Sequence, residues 1–97
     1  MMRHLVMFRR LPDVPAQPEL EAELVERMRL LPQRIDFIRG WHVAANELDR
    51  PICWDYLLDS SFDDAESVAR YLPHPAHQAL VQDLKQYFEW VAVDYTA

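Results

Sequence analysis

The chain has little glycine and cysteine, and it has no long apolar run. A single glycine among 97 residues, 51% of them hydrophobic, excludes a disordered or low-complexity chain. The only cysteine, Cys53, cannot form an intramolecular disulfide, and we expect a reduced, structural thiol within a strand. No apolar run approaches the length of a membrane span, and residues 5–8 are too few for a signal-peptide core. We therefore expect a cytoplasmic protein without a membrane partner.

Basic residues are scarce relative to acidic ones. Ten lysine and arginine residues stand against 16 aspartate and glutamate residues, a net charge of −6. A surface of this sign repels phosphate backbones, so we do not expect nucleic acid as a partner. The length predicts a single domain over residues 1–97. Three tryptophans, four tyrosines and four phenylalanines are a large apolar load for that length, and a partner subunit is one way to bury it.

The first third of the chain predicts a strand followed by a helix. Residues 3–9 are a short run with apolar side chains on both faces, which is typical of a central strand covered on both sides. Residues 11–17 carry two prolines and predict a loop. A helix is expected to begin at Pro18 and to end at Pro32, with acidic side chains near its positive end: Glu19, Glu21 and Glu23.

Two alternating segments predict a hairpin, and a third predicts the last strand. Residues 36–46 and 52–62 alternate as strands do, and residues 47–51 form the turn between them. A helix capped by Asp63 or Asp64 follows this hairpin. Residues 89–95 alternate again and predict the final strand.

The segment at residues 71–77, Tyr-Leu-Pro-His-Pro-Ala-His, divides the second helical region in two. Pro75 suits the first position of a new helix, which places His74 at its N-cap and His77 in its first turn. His77 shares one helix face with apolar residues at the spacing of a buried stripe: Leu80, Val81, Leu84 and Phe88. An imidazole on a buried stripe needs a hydrogen-bonding partner or a function.

The order of elements is β-α-β-β-α-β with a split second helix. It predicts an α+β, ferredoxin-like fold, with a four-stranded antiparallel sheet and helices on one face. The open face of the sheet is rich in apolar residues. We expect the sheet of a second copy to cover it, which gives a homodimer joined through the sheet faces, a dimeric α+β barrel.

Four side chains are predicted to meet at one end of this fold. Antiparallel pairing of the first and last strands brings His4 near Asp94, and the split helix adds Tyr71 and His77. The helix start and apolar surroundings favour neutral His77, the form that a general base needs. Asp94 would fix the tautomer of that ring, and Tyr71 would donate to a carbonyl oxygen as negative charge develops.

Each of these residues also has a purely structural interpretation. His77 suits a hydrogen-bonded core histidine and His74 an exposed N-cap. Tyr71 suits a packing residue, Asp94 a solvated strand end, and His4 a strand start. The spacing of the two junction histidines suits a metal, but no third ligand accompanies them, so we expect no metal site.

Three segments together resemble the stress-responsive α/β-barrel (Dabb) family: Arg3-His4-Leu5-Val6-Met7-Phe8, residues 71–78, and Val93-Asp94-Tyr95. The resemblance spans nearly the whole chain and implies a homodimer. The plant polyketide cyclase of this family that makes olivetolic acid closes a linear poly-β-ketone by aldol condensation, without a cofactor. The resemblance implies that Tyr71 and His77 correspond to its reacting tyrosine and histidine.

The resemblance also implies roles for further residues. It makes Asp94 the orienting aspartate and His4 the first-strand histidine of the site. A further pocket histidine of the cyclase falls on Tyr56, which we take as a candidate ligand-binding residue together with His74 and Phe88.

Two functions of different classes stay open. One is a cofactor-independent cyclase or isomerase acting on a small apolar or polyketide-like ligand, with His77 as base, Tyr71 as donor, and a supporting pair, His4 and Asp94. The other is a non-catalytic stress-response homodimer that binds an apolar small molecule or acts by its stability alone. A haem-degrading or quinol monooxygenase is a distant third, because the sequence has no motif dedicated to either.

Overall fold

The chain folds into a four-stranded antiparallel sheet with three helices on one face, and the computed structural model describes all residues, 1–97. The strands are β1 (Met2–Arg10), β2 (Gly40–Ala45), β3 (Tyr56–Phe62) and β4 (Phe88–Thr96). The helices are α1 (Pro18–Arg29), α2 (Ala65–Tyr71) and α3 (Pro75–Leu84), with a 3₁₀ turn at Leu31–Gln33. No helix combines the length and the apolar character needed to cross a lipid bilayer.

The strand order is β2-β3-β1-β4, and every neighbouring pair is antiparallel. β1 and β4, the first and last strands of the chain, lie side by side. The helices connect β1 to β2 and β3 to β4. This topology confirms the predicted α+β, ferredoxin-like fold.

The core lies between the sheet and the helices and contains 14 buried hydrophobic side chains. β1 contributes Val6 and Phe8, which point to the helical side because successive side chains of a strand alternate between faces. The helices contribute pairs spaced four residues apart, which share one helix face: Leu24 and Met28 from α1, and Leu80 and Leu84 from α3.

The split in the second helical region is confirmed. α2 ends at Tyr71 and α3 begins at Pro75. Asp64 caps α2 by accepting the backbone N–H of Ser67 at 2.8 Å, and His74 caps α3. The two caps compensate for the backbone donors that each new helix start leaves without a partner.

The second strand is shorter than its sequence pattern predicts. The alternation predicts a strand over residues 36–46, whereas β2 spans Gly40–Ala45. The chain turns after the buried Ile35, and Phe37 and Ile38 pack against the core from a loop. Their burial therefore produces an apolar pattern without a strand.

The third strand also begins later than predicted. The pattern predicts a strand over residues 52–62, whereas β3 spans Tyr56–Phe62. The carboxylate of Asp55 accepts hydrogen bonds from the backbone N–H and the guanidinium of Arg10, at 2.9 and 3.2 Å. Cys53 consequently lies in the turn before the strand, and its predicted place within a strand is wrong.

Two helices end earlier than their sequence patterns predict. α1 ends at Arg29, and Pro32, the predicted end, lies in the 3₁₀ turn that follows. α3 ends at Leu84, so Phe88 begins β4 and does not continue the helical stripe. Phe88 is buried at the start of the strand, and its four-residue spacing from Leu84 is also the spacing of one more helical turn.

The other face of the sheet is uncovered within the chain. β1 and β4 expose apolar side chains there: Met7 (44% exposed), Val91 (44%), Val93 (57%) and Tyr95 (44%). β1 is therefore central, as predicted, but the chain itself covers only one of its two faces. A contiguous apolar surface of this kind is typical of an interface.

A buried carboxylate joins three elements away from the predicted site. Glu21 of α1 is 5% exposed and accepts two hydrogen bonds from the Arg10 guanidinium, at 2.6 and 2.8 Å. It also accepts the hydroxyl of Tyr56, at 2.8 Å. The hydrogen bonds from Arg10 lower the pKa of Glu21, and burial, with the bond to Glu21, raises the pKa of Tyr56 to about 12. Glu21 is thus a charged anchor between α1, β1 and β3, a role that its place near a helix start did not indicate.

We predict that Glu21→Gln lowers the free energy of unfolding by about 2–3 kcal/mol at neutral pH, because Arg10 loses a buried charged partner. Since the Arg10 bonds lower the pKa of Glu21 below 4.5, the wild-type advantage is complete above pH 4.5. It is lost as the pH falls through the lowered pKa. Urea unfolding at several pH values measures both effects. The matched control is Glu23→Gln, an exposed position on the same helix, and equal losses from the two variants would contradict the prediction.

Candidate active site

A cavity of about 190 Å³ lies between the covered face of the sheet and the helices, and it opens beside β4. Fifteen residues line it, and 12 of them are hydrophobic. The other three are His4, His77 and Asp94, and Tyr71, counted among the 12, adds a phenol hydroxyl to them. The deeper wall is apolar and includes Phe8, Leu58, Leu80 and Leu84.

The strand register pairs His4 with Asp94, as the sequence predicts. The two residues are direct partners across β1 and β4, and Nδ1 of His4 lies 2.5 Å from Oδ1 of Asp94. A carboxylate only accepts, so Nδ1 carries the hydrogen and Nε2 is left as an acceptor. The His4 side chain is 7% exposed and the Asp94 side chain 48%, so the pair extends from the cavity to solvent. Ser60, itself buried, donates to the backbone carbonyl of His4 at 2.7 Å.

The break between α2 and α3 supplies the partner of His77. In a continuous helix the carbonyl of Leu72 would accept the backbone N–H of Ala76. Here that N–H donates instead to Nδ1 of His74, at 3.1 Å. The Leu72 carbonyl is free to accept Nδ1–H of His77 at 2.8 Å, and it also accepts the Gln78 side chain at 2.7 Å.

These contacts hold His77 in a defined tautomer and charge state. Because Nδ1 donates to a carbonyl, Nε2 is the unprotonated nitrogen. Burial lowers the pKa of His77 below its ordinary value of 6.5, and the nearby imidazoles of His4 and His74 lower it further, against the raising effect of the Leu72 bond. His77 is therefore neutral at pH 7, with a basic nitrogen available.

Tyr71 lies between the two imidazoles. Its ring centroid is 4.3 Å from that of His77 and 5.9 Å from that of His4, and the residue is 2% exposed. Burial raises the pKa of its phenol above the ordinary value of 10, so the hydroxyl keeps its hydrogen. None of the hydrogen bonds within the chain involves this hydroxyl, which leaves it able to donate to a ligand.

One predicted contact is wrong. The sequence analysis made Asp94 the orienting partner of His77, but Asp94 is bonded to His4, and the Leu72 carbonyl orients His77. The register of β1 and β4 points the carboxylate at the adjacent strand, whereas the His77 ring is held at the end of α2. The site therefore contains two separately oriented imidazoles.

The three predicted ligand-binding residues do not line the cavity. Tyr56 donates to Glu21, and its ring stacks edge-on against Phe88 with centroids 5.7 Å apart. Tyr56 and Phe88 therefore belong to the Glu21 anchor near the Arg10 end of β1. His74 is engaged as the N-cap of α3.

The structure adds lining residues that the sequence analysis had not assigned to the site. Trp90 and Ala92 line the cavity on the same face of β4 as Asp94. The two-residue period of that strand was the available signal for them. Met28 and Leu31, from α1 and the 3₁₀ turn, also line the cavity, and nothing in their spacing distinguished them from other core residues.

The site can transfer protons. It offers two imidazole nitrogens as acceptors and one phenol as a donor at the polar end of an apolar cavity. No group of three or more histidine, cysteine or carboxylate side chains is placed to hold a metal ion. The arrangement suits general acid–base chemistry on a substrate that carries a polar group at one end.

Comparisons with known proteins agree with this fold. An uncharacterized protein of Streptomyces coelicolor is 41% identical over 95 residues, which cover 98% of each chain. A dimeric protein of unknown function with a ferredoxin-like fold, from Bacteroides fragilis, is 31% identical with a TM-score of 0.86, over 99% of this chain and 95% of that one. A hydroxynitrile lyase from Passiflora edulis shares the fold with a TM-score of 0.83 at 13% identity, over 97% and 90% of the two chains.

The family comparison covers the whole fold, including the cavity. The match to the stress responsive A/B barrel domain extends over residues 2–97, from the first strand to the last. This range contains His4, the junction between α2 and α3, and Asp94. The chain therefore belongs to the stress responsive A/B barrel (Dabb) family.

Proposed function

We propose that this protein is an enzyme that needs no cofactor and removes a proton from the carbon next to a carbonyl group in an apolar substrate. Aldol-type cyclisation and isomerisation both begin with this step. The observation that carries the proposal is the free Nε2 of each imidazole beside an unpartnered Tyr71 hydroxyl, all on one apolar cavity.

His77 acts as the general base. Its Nε2 takes the proton, and the electrons of the broken C–H bond move toward the carbonyl oxygen to give an enolate. The Tyr71 hydroxyl donates a hydrogen bond to that oxygen, where the negative charge develops. The pair His4–Asp94 supplies a second oriented imidazole on the same cavity.

Two relatives support this proposal. The Passiflora edulis hydroxynitrile lyase has the same fold, so a lyase site is compatible with it. The resemblance of the Tyr71–His77 segment to that of the olivetolic acid cyclase supports aldol chemistry at the same place. The geometry supports the reaction class, and the size and lining of the cavity limit which substrate can bind.

The protein is further proposed to act as a homodimer of one such domain per chain, residues 1–97. The uncovered sheet face presents a contiguous apolar surface, and the similar Bacteroides fragilis protein is dimeric. Two sheets that meet through these faces would form a closed barrel with a helical layer on each side.

A second candidate is a non-catalytic homodimer that binds a small molecule. The bond between His77 and the Leu72 carbonyl favours it, because that contact also joins α3 to the end of α2. In this case His77→Gln lowers the melting temperature and there is no turnover to lose. The next experiment separates the two candidates.

We predict that His77→Gln slows proton exchange at least about 100-fold, because a glutamine cannot act as a base. The assay follows deuterium incorporation into the methyl group of acetophenone in D₂O by NMR, with the buffer rate subtracted. His42→Gln, on β2 at the sheet face opposite the cavity, is the control and should retain the wild-type rate, with size exclusion used to show that the dimer is unchanged. Equal rates for wild type and folded His77→Gln would show that His77 is not the base.

The pH dependence of the same exchange follows from the pKa of His77. Because burial lowers that pKa below 6.5, the rate constant should be flat near pH 8 and should reach half of that value only at a pH below 6.5. It should fall tenfold per pH unit only below the lowered pKa. A rate profile from about pH 5 to about pH 8, with circular dichroism as a check on folding, measures this. An inflection above pH 6.5 would be inconsistent with His77 as a half-buried base of lowered pKa.

We predict that Val93→Glu converts the dimer to a monomer, since it places a charge on the apolar sheet face. Light scattering after size exclusion measures the mass. Leu30→Glu changes an exposed leucine at the end of α1, on the helical side, and should leave the dimer intact. A dimer that survives Val93→Glu with unchanged affinity would place the interface elsewhere.

A further inference from the structure

We infer that the cavity takes a neutral molecule of about eight or nine non-hydrogen atoms, a single ring with one enolisable carbonyl or phenolic hydroxyl at its polar end. The chemistry of this inference rests on the proposed function, but its test uses binding alone.

The volume sets the size of the ligand. A dry cavity of about 150 Å³ accommodates benzene, whereas pockets for drug-sized ligands measure about 300–1,000 Å³. At about 190 Å³ this cavity has room for one ring and two or three further atoms. A long linear poly-β-ketone, the ligand that the family resemblance implied, exceeds this volume and would have to extend out of the cavity beside β4.

The charges of the lining exclude an anion. No lysine or arginine lines the cavity, so a buried carboxylate or phosphate would have no cationic partner. Asp94 stands at the open side, and the chain carries a net charge of −6. Both repel an approaching anion, which leaves a neutral ligand.

The polar end determines which functional group is bound. Each imidazole offers an acceptor at Nε2, and Tyr71 offers a donor, so the ligand group must both donate and accept. An enol or a phenol does both through one oxygen. The deep wall formed by Phe8, Leu58 and Leu84 has no partner for a second polar group.

Four probes test these requirements by isothermal titration of the wild-type protein. We expect p-cresol to bind saturably, with a Kd of about 1 mM or tighter. Toluene lacks the hydroxyl and should bind about tenfold more weakly. The anion 4-methylbenzoate should not bind, and 4-phenylphenol, a rigid two-ring molecule, should bind about tenfold more weakly than p-cresol.

A pair of matched variants locates the binding. Ala92→Phe fills the cavity from its open side on β4, an exposed position where a larger side chain leaves the core unchanged. It should weaken p-cresol binding at least tenfold with an unchanged melting temperature. Ala69→Phe adds the same side chain to an exposed position on α2 that does not line the cavity, and it should bind p-cresol as the wild type does.

The inference is overturned if p-cresol does not bind the folded wild type, if Ala92→Phe binds it unchanged, or if 4-methylbenzoate or 4-phenylphenol binds as tightly. These outcomes differ from a failure of the proposed function. If p-cresol binds but acetophenone does not exchange its protons, the inferred ligand class is supported and the proposed enzymatic activity is rejected. If exchange depends on His77 but p-cresol does not bind, the proposed enzymatic activity is supported and the inferred ligand class is rejected.

Discussion

The antiparallel pairing of β1 with β4 determines where the polar groups of the cavity lie. In this register His4 is the direct partner of Asp94, and both side chains point to the helical face. The same alternation directs Val6 and Phe8 into the core. A slip of one residue would turn His4 outward together with the core side chains of its strand, so the free energy of core packing also maintains the hydrogen bond between His4 and Asp94.

The proline-bounded junction between α2 and α3 gives the second imidazole its orientation. A helix that continued through this segment would use the Leu72 carbonyl for its own ladder. The break releases that carbonyl and places His77 within reach of it, while His74 satisfies the first N–H of α3. Main-chain geometry thus supplies an orienting acceptor of fixed position and no net charge. Burial keeps His77 neutral because it lowers the pKa more than the Leu72 bond raises it, whereas a carboxylate in the same place would favour the protonated form more strongly.

Much of the site could be predicted because it depends on periodicity and strand topology. The neighbourhood of His4 and Asp94 followed from two strand patterns at opposite ends of the chain. The partner of His77 could not be predicted, because it depends on which carbonyl the helix break releases. Glu21 was expected to be a helix-dipole residue, and its burial beneath Arg10 depends on tertiary packing that no local pattern records.

The misplacement of Phe88 and Tyr56 has a similar cause. Phe88 follows Leu84 by four residues, a spacing that one more helical turn and a buried strand start satisfy equally. Tyr56 was assigned by correspondence with a relative, but in this chain its hydroxyl is already bonded to Glu21. A side chain committed to a buried carboxylate is not free to contact a ligand.

The partial exposure of Asp94 has a consequence for proton exchange between the cavity and the medium. The carboxylate is bonded to a buried imidazole on one side and reaches bulk water on the other. A hydrogen ion on the His4 ring can therefore exchange with the medium along the edge of β4. This route does not require water in the apolar part of the cavity, so an apolar wall and proton exchange with the medium are compatible in one small fold.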